Sequence, residues 1–338
     1  MSSFIDLTAT LRLPRAPDEE DARALAAAAK AGGFHTVVVS ARGQEAVDVD
    51  SLSALLRELE GHGVRLIPAL APVVGTELAD VVSMVKSLPA GTPRVLRLRA
   101  AIDDALLLRR IGDLARGLDA LVIVPSHDAA LMKGALAVEG AVATRLGLSG
   151  VPEASEHIAI SRILEVSKLT GARFHIAGVF TERGAALIES AGDPHVSGSV
   201  FASHLCFDDS ALLTFRYETR VLTRPPLPTS SSRIALRAAV KRGALLASSG
   251  HHFIPKRERD LEMNRATPGM TSLASAARIL GLPIAPTPFS PADLLRALSS
   301  GPAAALGIPA PDLSSDPSRS AAVVDDLFRL ANDFGGGT

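Results

Sequence analysis

Residues 4–14 read Phe-Ile-Asp-Leu-Thr-Ala-Thr-Leu-Arg-Leu-Pro. The apolar and β-branched run Phe4–Leu11, closed by Arg12 and Pro14, reads as a β-strand, and the chain then repeats the theme. Further candidate strands are His35–Ala41, Val64–Ala71, Val95–Arg99, Leu121–Pro125, Arg173–Val179, Val196–Leu205 and Leu245–Ser249, which makes eight. Amphipathic stretches at helical spacing fall between them: Glu19–Ala31, Ser51–His62, Leu78–Ser87, Asp104–Leu118, Glu153–Thr170, Arg183–Ala191 and Arg233–Arg242. Asp50–Ser51 and Asp103–Asp104 are candidate amino-terminal caps, and Gly63, Gly171, Gly192 and Gly243 stand where carboxy-terminal caps belong. Strands alternating with amphipathic helices build βα units on a parallel sheet, so the fold class is α/β. Eight such units predict a (β/α)8 TIM barrel, with a doubly wound sheet as the alternative.

The barrel with its additional helices, Thr271–Leu280 and Pro291–Leu298, is expected to span residues 1–310. Residues 311–338 then form a tail. It continues a Pro/Ser-rich stretch from Pro302 to Ser320, carries one amphipathic segment, Ala321–Asn332, and ends in Gly335-Gly336-Gly337, expected to be disordered. The 338 residues carry a net charge of −1 with a pI near 6.8, which argues against nucleic acid or an anionic membrane as partner. There is no tryptophan and a single tyrosine, Tyr217, so stacking platforms for bases or sugars are missing. Cys206 is the only cysteine, which rules out an internal disulfide and a Cys-x-x-Cys zinc site. No basic stretch precedes an apolar one at the amino terminus, and no run reaches the ~18 apolar residues of a membrane span. A cytoplasmic location is expected.

Several longer motifs resemble dihydroorotases of the amidohydrolase superfamily. Gly32-Gly33-Phe34-His35-Thr36-Val37-Val38 resembles that family's entry into strand two. Leu146–Glu156 is similar to the loop and helix start before strand six, and Leu169–Ile176 to strand six itself. Ser203-His204-Leu205 and Arg224-Pro225-Pro226-Leu227 stand where the family has His-His-Leu and Asn-Pro-Pro-Leu. The resemblance runs from about residue 4 to about residue 310 and implies an amidohydrolase-type barrel. Such proteins usually also carry a small β-sandwich, begun before the first barrel strand. With strand one at residue 4, the expectation here is a barrel lacking it.

The same resemblance implies where two zinc ions would be held, and there the chain departs from the family. The family's first strand is Asp-x-His-x-His-x-Arg-x-Pro; here Asp6, Arg12 and Pro14 stand, but Thr8 and Thr10 take the histidine places. Strand four offers neither lysine nor aspartate, Pro125 takes the strand-five ligand place, Gly178 that of strand six, and Ser249 that of the strand-eight aspartate. Independently of any alignment, the chain contains no His-x-His and no aspartate between Asp209 and Asp260. Hydroxyls, proline and glycine cannot supply zinc's imidazole and carboxylate ligands. Without a metal, lowering water's pKa from about 15.7 to about 7 goes unmet, a gap of roughly 12 kcal/mol. The expectations are therefore a lost zinc site, no cofactor, and a protein that is not an enzyme.

On the substrate side, the resemblance makes Arg12 a carboxylate contact and places Arg42 and Arg224 where the family has asparagines. His204 remains as a survivor of the site, so Arg12, Arg42, His204 and Arg224 are the candidate ligand-binding residues. The remaining polar groups read as structural: His127 and its neighbour Asp128 face opposite ways on an extended segment, His175 is a barrel histidine, and Cys206 is an inert thiol. His251-His252, near Lys256 and Arg257, could suggest a replacement metal or acid–base site, but no carboxylate stands close by in sequence and the pair reads as structural or surface. Arg216–Arg220 reads as a solvated connection, with a partner-binding loop as the alternative. The leading expectation is a non-catalytic, oligomeric scaffold with a protein partner, by analogy aspartate transcarbamoylase in pyrimidine biosynthesis. The alternatives are an anionic-metabolite sensor at the barrel mouth and a hydrolase re-sited on His127, His204 or His251.

Overall fold

A computed structural model of the chain describes residues 4–13, 16–42, 49–71, 78–98, 103–215, 218–284 and 286–311. Eight parallel strands follow one another in chain order around a nearly closed barrel: Phe4–Arg12, Phe34–Arg42, Arg65–Leu70, Val95–Arg97, Leu121–Pro125, Arg173–Ala177, Val196–Phe201 and Leu246–Ser248. All eight overlap the strands read from the sequence, and the (β/α)8 reading holds.

The period-two alternation of each strand sorts its residues into two apolar layers. Val38, Leu121 and Ile123 belong to the inner cluster, with Ile5, Leu7, Ile67 and Val95, whereas Val37, Val39, Val122 and Val124 join the outer cluster beneath the helices. A strand buried on both faces has no polar alternation to display, which explains sequences such as Leu-Val-Ile-Val. Ala303 and Leu306 belong to the inner cluster, so the helix Gly301–Leu306 plugs the amino-terminal end of the barrel. That leaves the opposite end open.

The crossover helices are Ala22–Ala31, Val49–Leu59, Leu78–Lys86, Ala105–Gly117, Ala154–Thr170, Glu182–Ala191 and Ser230–Arg242. Asp104 caps its helix as expected, accepting from the Leu106 and Leu107 amides, and Gly171, Gly192 and Gly243 adopt left-handed conformations at the carboxyl ends. Asp50 and Ser51 lie inside the first turn of their helix, which starts at Val49, and Gly63 falls in a loop beyond Leu59.

Some expectations are corrected. The seventh strand stops at Phe201, and Ala202–Cys206 is a short helix, because a short apolar run satisfies either geometry and tertiary contacts choose. Of Thr271–Leu280 only Ala276–Leu280 is helical, since the Ser272 and Leu273 amides are taken by the His251 ring. Pro291–Leu295 continues through a π-turn, Arg296–Ser300, into the plug helix at a place read as Pro/Ser-rich coil. A two-stranded parallel ribbon, Ala137–Val138 with Gly150–Val151, gave no usable period because each strand has two residues. The tail segment Ala321–Asn332 lies outside the described residues. Among the described residues no helix is long and apolar enough to cross a membrane.

Because Leu306 is 4% exposed inside the barrel floor, Leu306→Ala should lower unfolding stability by about 2–5 kcal/mol, measured by urea denaturation.

Candidate functional site

At the carboxyl ends of the strands a cavity of about 560 Å³ opens, the end at which (β/α)8 barrels assemble chemistry. Thr10, Ser40, Arg97, Pro125, Ala177 and Phe201 reach it from six of the strands, and His127, Arg224, His252 and Thr267 reach it from loops. Carboxylates are missing from the described residues that line it.

Its charged groups are under unusual stress. Arg97 ends the fourth strand, and its Nη1 is shielded from water without a hydrogen-bond partner. Burial pulls this guanidinium down to about 10 against the opposing influence of Asp6, so it stays protonated at neutral pH. Arg224 is likewise lowered by burial. His127 is buried, its Nδ1 also lacks a partner, and burial followed by the Arg224 charge pushes its imidazole down to about 4. It is therefore neutral at pH 7. Asp128 is no acid–base companion, because its Oδ1 accepts from the Ala130 and Leu131 amides and caps a turn.

The positions that would hold zinc in the resembled family do other work here. Thr8 Oγ1 accepts from the Gly250 amide at 3.0 Å, and Thr10 Oγ1 donates to the His251 carbonyl at 3.2 Å. Ser249 donates from its amide (2.6 Å) and hydroxyl (2.8 Å) to the Asp6 carboxylate. Gly178 has φ 79°, and a Cβ there would sit 2.8 Å from the Phe201 ring and 3.1 Å from Pro225. No ligating side chain fits at that place unless Phe201 moves.

Among the described residues no three His, Cys, Asp or Glu side chains converge as a metal site would require. Among the described residues, the charged groups that line the cavity are guanidinium cations, which repel a divalent ion. The donor set that the described residues offer does not fit zinc.

The structure separates the four candidate ligand residues. Arg224 lines the cavity beside Pro225. Arg12 is instead paired with Glu19 and Glu258, and Arg257 joins the same carboxylates, so this cluster ties the loop after strand one to the helix Lys256–Arg259. Arg42 ends the second strand opposite Arg12, and the described structure stops at its backbone. His204 is fully buried in the short helix after strand seven. Its Nε2 donates to the Pro225 carbonyl at 3.0 Å, so Nδ1 is left to accept from Ser203 Oγ. Burial holds its imidazole down to about 4. His204 thus fastens the Arg224-Pro225 turn from behind.

Arg97 escaped the sequence reading as a cavity residue, and His252, weighed there with His251 and read as structural, also lines the cavity. The signal for Arg97 was present: a cation inside the apolar run Val95-Leu96-Arg97-Leu98.

Other buried polar groups are structural. His175 sits between Ser197 and Ser199 hydroxyls, and burial together with Arg97 pushes it down to about 3. His251 accepts two amides at Nδ1, which forces its Nε2–H to face Glu20 at 2.8 Å. The carboxylate absent from the sequence neighbourhood of His251 comes from 231 residues away. Cys206 is pushed up to about 12 by burial, an inert thiol. Glu156 is fully buried and accepts from the Phe180 and Thr181 amides and the Thr181 hydroxyl, holding the segment that follows strand six.

Comparison with known proteins agrees with this architecture. The family model described as dihydro-orotase-like matches residues 1–183, just over half of the chain. A dihydroorotase-like protein of Pseudomonas putida is 33% identical over 321 residues, covering 92% of this chain and 74% of its own length. The dihydroorotase of Mycobacterium tuberculosis is 30% identical over 319 residues, 91% of this chain and 73% of the relative. Among solved structures, the L-hydantoinase (dihydropyrimidinase) of Arthrobacter aurescens superposes with a TM-score of 0.74 at 16% identity, covering 91% and 71% of the two chains. The dihydroorotase of Saccharomyces cerevisiae bound to 5-fluoroorotic acid gives 0.69 at 11%, covering 91% and 85%. At such identities the structures speak for the fold alone.

Relatives such as the dihydroorotases of Mycobacterium tuberculosis and Anaeromyxobacter dehalogenans carry the name of an enzyme, and this overturns the expectation of a non-catalytic scaffold that is not an enzyme. That expectation counted metal ligands and missed the cavity. A barrel kept only for its outer surface gains nothing from an unsatisfied buried guanidinium and imidazole, each costing about 1–3 kcal/mol.

Two outcomes follow from this geometry. Restoring the histidine pair with Thr8→His and Thr10→His should bring no zinc into the purified protein by elemental analysis. It should also lower stability by about 1–3 kcal/mol through the unpaired Gly250 amide. Glu156 titrates at about 7 in the folded protein because burial lifts it from 4.5. Its folded value lies above its unfolded one, so its contribution to stability is complete below pH 4.5 and fades as pH rises through 7. The thermal midpoint should fall across that window, and Glu156→Gln should flatten the fall.

Proposed function

The chain belongs to the dihydroorotase-like family, and from that membership we propose that its barrel mouth binds a small cyclic amide and opens or closes the ring at the amide bond. The observation that carries this reading is the pairing of shielded Arg97 Nη1 with shielded His127 Nδ1, both without partners, on one cavity. Buried polar groups are normally satisfied, and two unsatisfied ones on residues that line one cavity mark it as a place where a bound molecule, with a small turn of each side chain, would complete their bonding. A cyclic amide or ureide supplies carbonyl oxygens for guanidinium donors and a ring nitrogen for an imidazole.

The chemistry follows from those groups. As the amide carbon becomes tetrahedral its oxygen gains negative charge, and the guanidinium groups of Arg97 and Arg224 stabilise it from fixed positions with little water to reorganise. His127, neutral at pH 7, moves the proton between the attacking water and the leaving ring nitrogen. Burial and the Arg224 charge make its basicity weak. Part of that weakness is the field of Arg224, which a bound anion or developing oxyanion offsets, so His127 becomes a better base when substrate is present. Phe201 and Pro225 supply apolar walls that exclude bulk water.

Turnover of dihydroorotate and of 5-substituted hydantoins, followed by loss of the ring chromophore, tests the proposal. Ring opening above the buffer rate is expected, with Arg97→Met lowering kcat about 10²- to 10³-fold, the usual cost of one oxyanion donor. No turnover of either class overturns the reading. In proton NMR, the His127 ring should titrate at higher pH with a substrate analogue bound than without it.

A further inference from the structure

The disagreement between the fold's expected metal chemistry and this donor set points to what replaces it. We propose that the Arg97 guanidinium, with Arg224 facing the same cavity, stands in for a divalent cation at this mouth, making it a site for oxyanions and carboxylates that takes no metal. The inference rests on the reading above that the cavity is the substrate site.

Three observations converge on it. The first is position. Arg97 leaves the carboxyl end of the central fourth strand and reaches the cavity, and its Nη1 has no protein acceptor even though water is excluded from it. An arginine held for structure normally finds carbonyls. Arg237 shows the pattern in this same molecule: its Nε and Nη2 bond the Thr287 carbonyl, its Nη1 bonds the Leu205 carbonyl, and Phe289 lies under its plane. The Arg97 side chain lines the cavity and its guanidinium keeps unspent donor capacity, which a carboxylate or oxyanion in the cavity could use once the buried nitrogen turns toward it.

The second is charge. Arg97 and Arg224 face a cavity whose described lining includes no carboxylate, and the lining imidazole of His127 carries no charge at neutral pH. Asp6 offsets part of the Arg97 charge, but its oxygens are engaged by Ser249 and by the Thr8 amide and are buried away from the lining. The charge that the described lining presents to the mouth is positive, which attracts anions and opposes Zn²⁺.

The third is space. Gly178 is in the left-handed region, and Phe201 and Pro225 fill the volume a side chain there would need. Thr8 and Thr10 are bonded into the join between the first and eighth strands. The places at which protein ligands would meet a metal are thus spent on packing and closure, and the guanidinium is the positive group that remains.

Isothermal titration of the purified chain with malonate, and separately with zinc chloride, tests this assignment. Malonate should bind the wild type and weaken with added salt. Arg97→Met should reduce its affinity about 10- to 100-fold, the loss expected for charge-assisted hydrogen bonds, and Arg97→Lys should fall between. A thermal melt of each variant separates lost binding from lost folding, and Arg97→Lys retains the charge if Arg97→Met fails to fold. Zinc should neither bind stoichiometrically nor displace malonate. Malonate affinity that is absent in the wild type, or unchanged in folded Arg97→Met, overturns the assignment, as does zinc uptake abolished by His127→Ala. The titration reads binding alone. Intact malonate binding without ring opening of cyclic amides refutes the amide reaction and keeps Arg97 as an anion group, whereas ring opening at undiminished kcat in an Arg97→Met variant that has also kept its malonate affinity keeps the reaction and refutes the Arg97 assignment.

Discussion

Everything in this barrel depends on how its first strand meets its last. Seven ladders of parallel pairing join the eight strands, but the eighth strand is only three residues long and offers the first little backbone to pair with. Side chains close the gap. Asp6 takes the amide and hydroxyl of Ser249, Thr8 takes the amide of Gly250, and Thr10 bonds the His251 carbonyl through both its amide and its hydroxyl. Ser272 then bonds the Ser249 carbonyl, and His251 reaches Glu20 ahead of the first crossover helix. An open edge would expose unpaired backbone groups inside a buried wall, and burial makes each such group expensive.

That closure constrains the mouth above it. A threonine that accepts an amide proton is not free to be replaced by a ligand, and the backbone that presents Ser249 and Gly250 also packs Gly250 against Phe201. Phe201 in turn covers Gly178 and stands edge-on to His204, which holds the Pro225 carbonyl and so the turn that carries Arg224. The seam, the aromatic wall and the cationic lining form one connected structure. Arg97 is the exception, a charge on a strand end whose requirements are met by nothing the protein provides at Nη1.

Much of the architecture was legible in the chain. Runs such as Leu121–Pro125 and Arg173–Ala177 were bounded correctly or nearly so because short apolar segments between amphipathic helices have few other solutions. The plug helix Gly301–Leu306 was not, because proline and glycine at its start resemble coil when the barrel floor they cover is out of view. Of the site, Arg224 was visible through its place before Pro225-Pro226, and Arg12 was visible but misleading. The sequence gives no sign that Glu258, 246 residues away, folds back to neutralise Arg12.

Sequence alone determined the eight βα units, the near-neutral charge and the absence of a histidine pair in the first strand, because local periodicity and residue chemistry are properties of neighbours along the chain. Tertiary structure alone decided which polar residues are spent and which are open. Thr8, Arg12, His204 and His251 are all satisfied by partners at least 7 residues distant, and Arg97 and His127 each keep a nitrogen that is not. Satisfaction of a buried hydrogen-bonding group depends on what folding brings within about 3 Å of it, and no reading of nearest neighbours contains that distance.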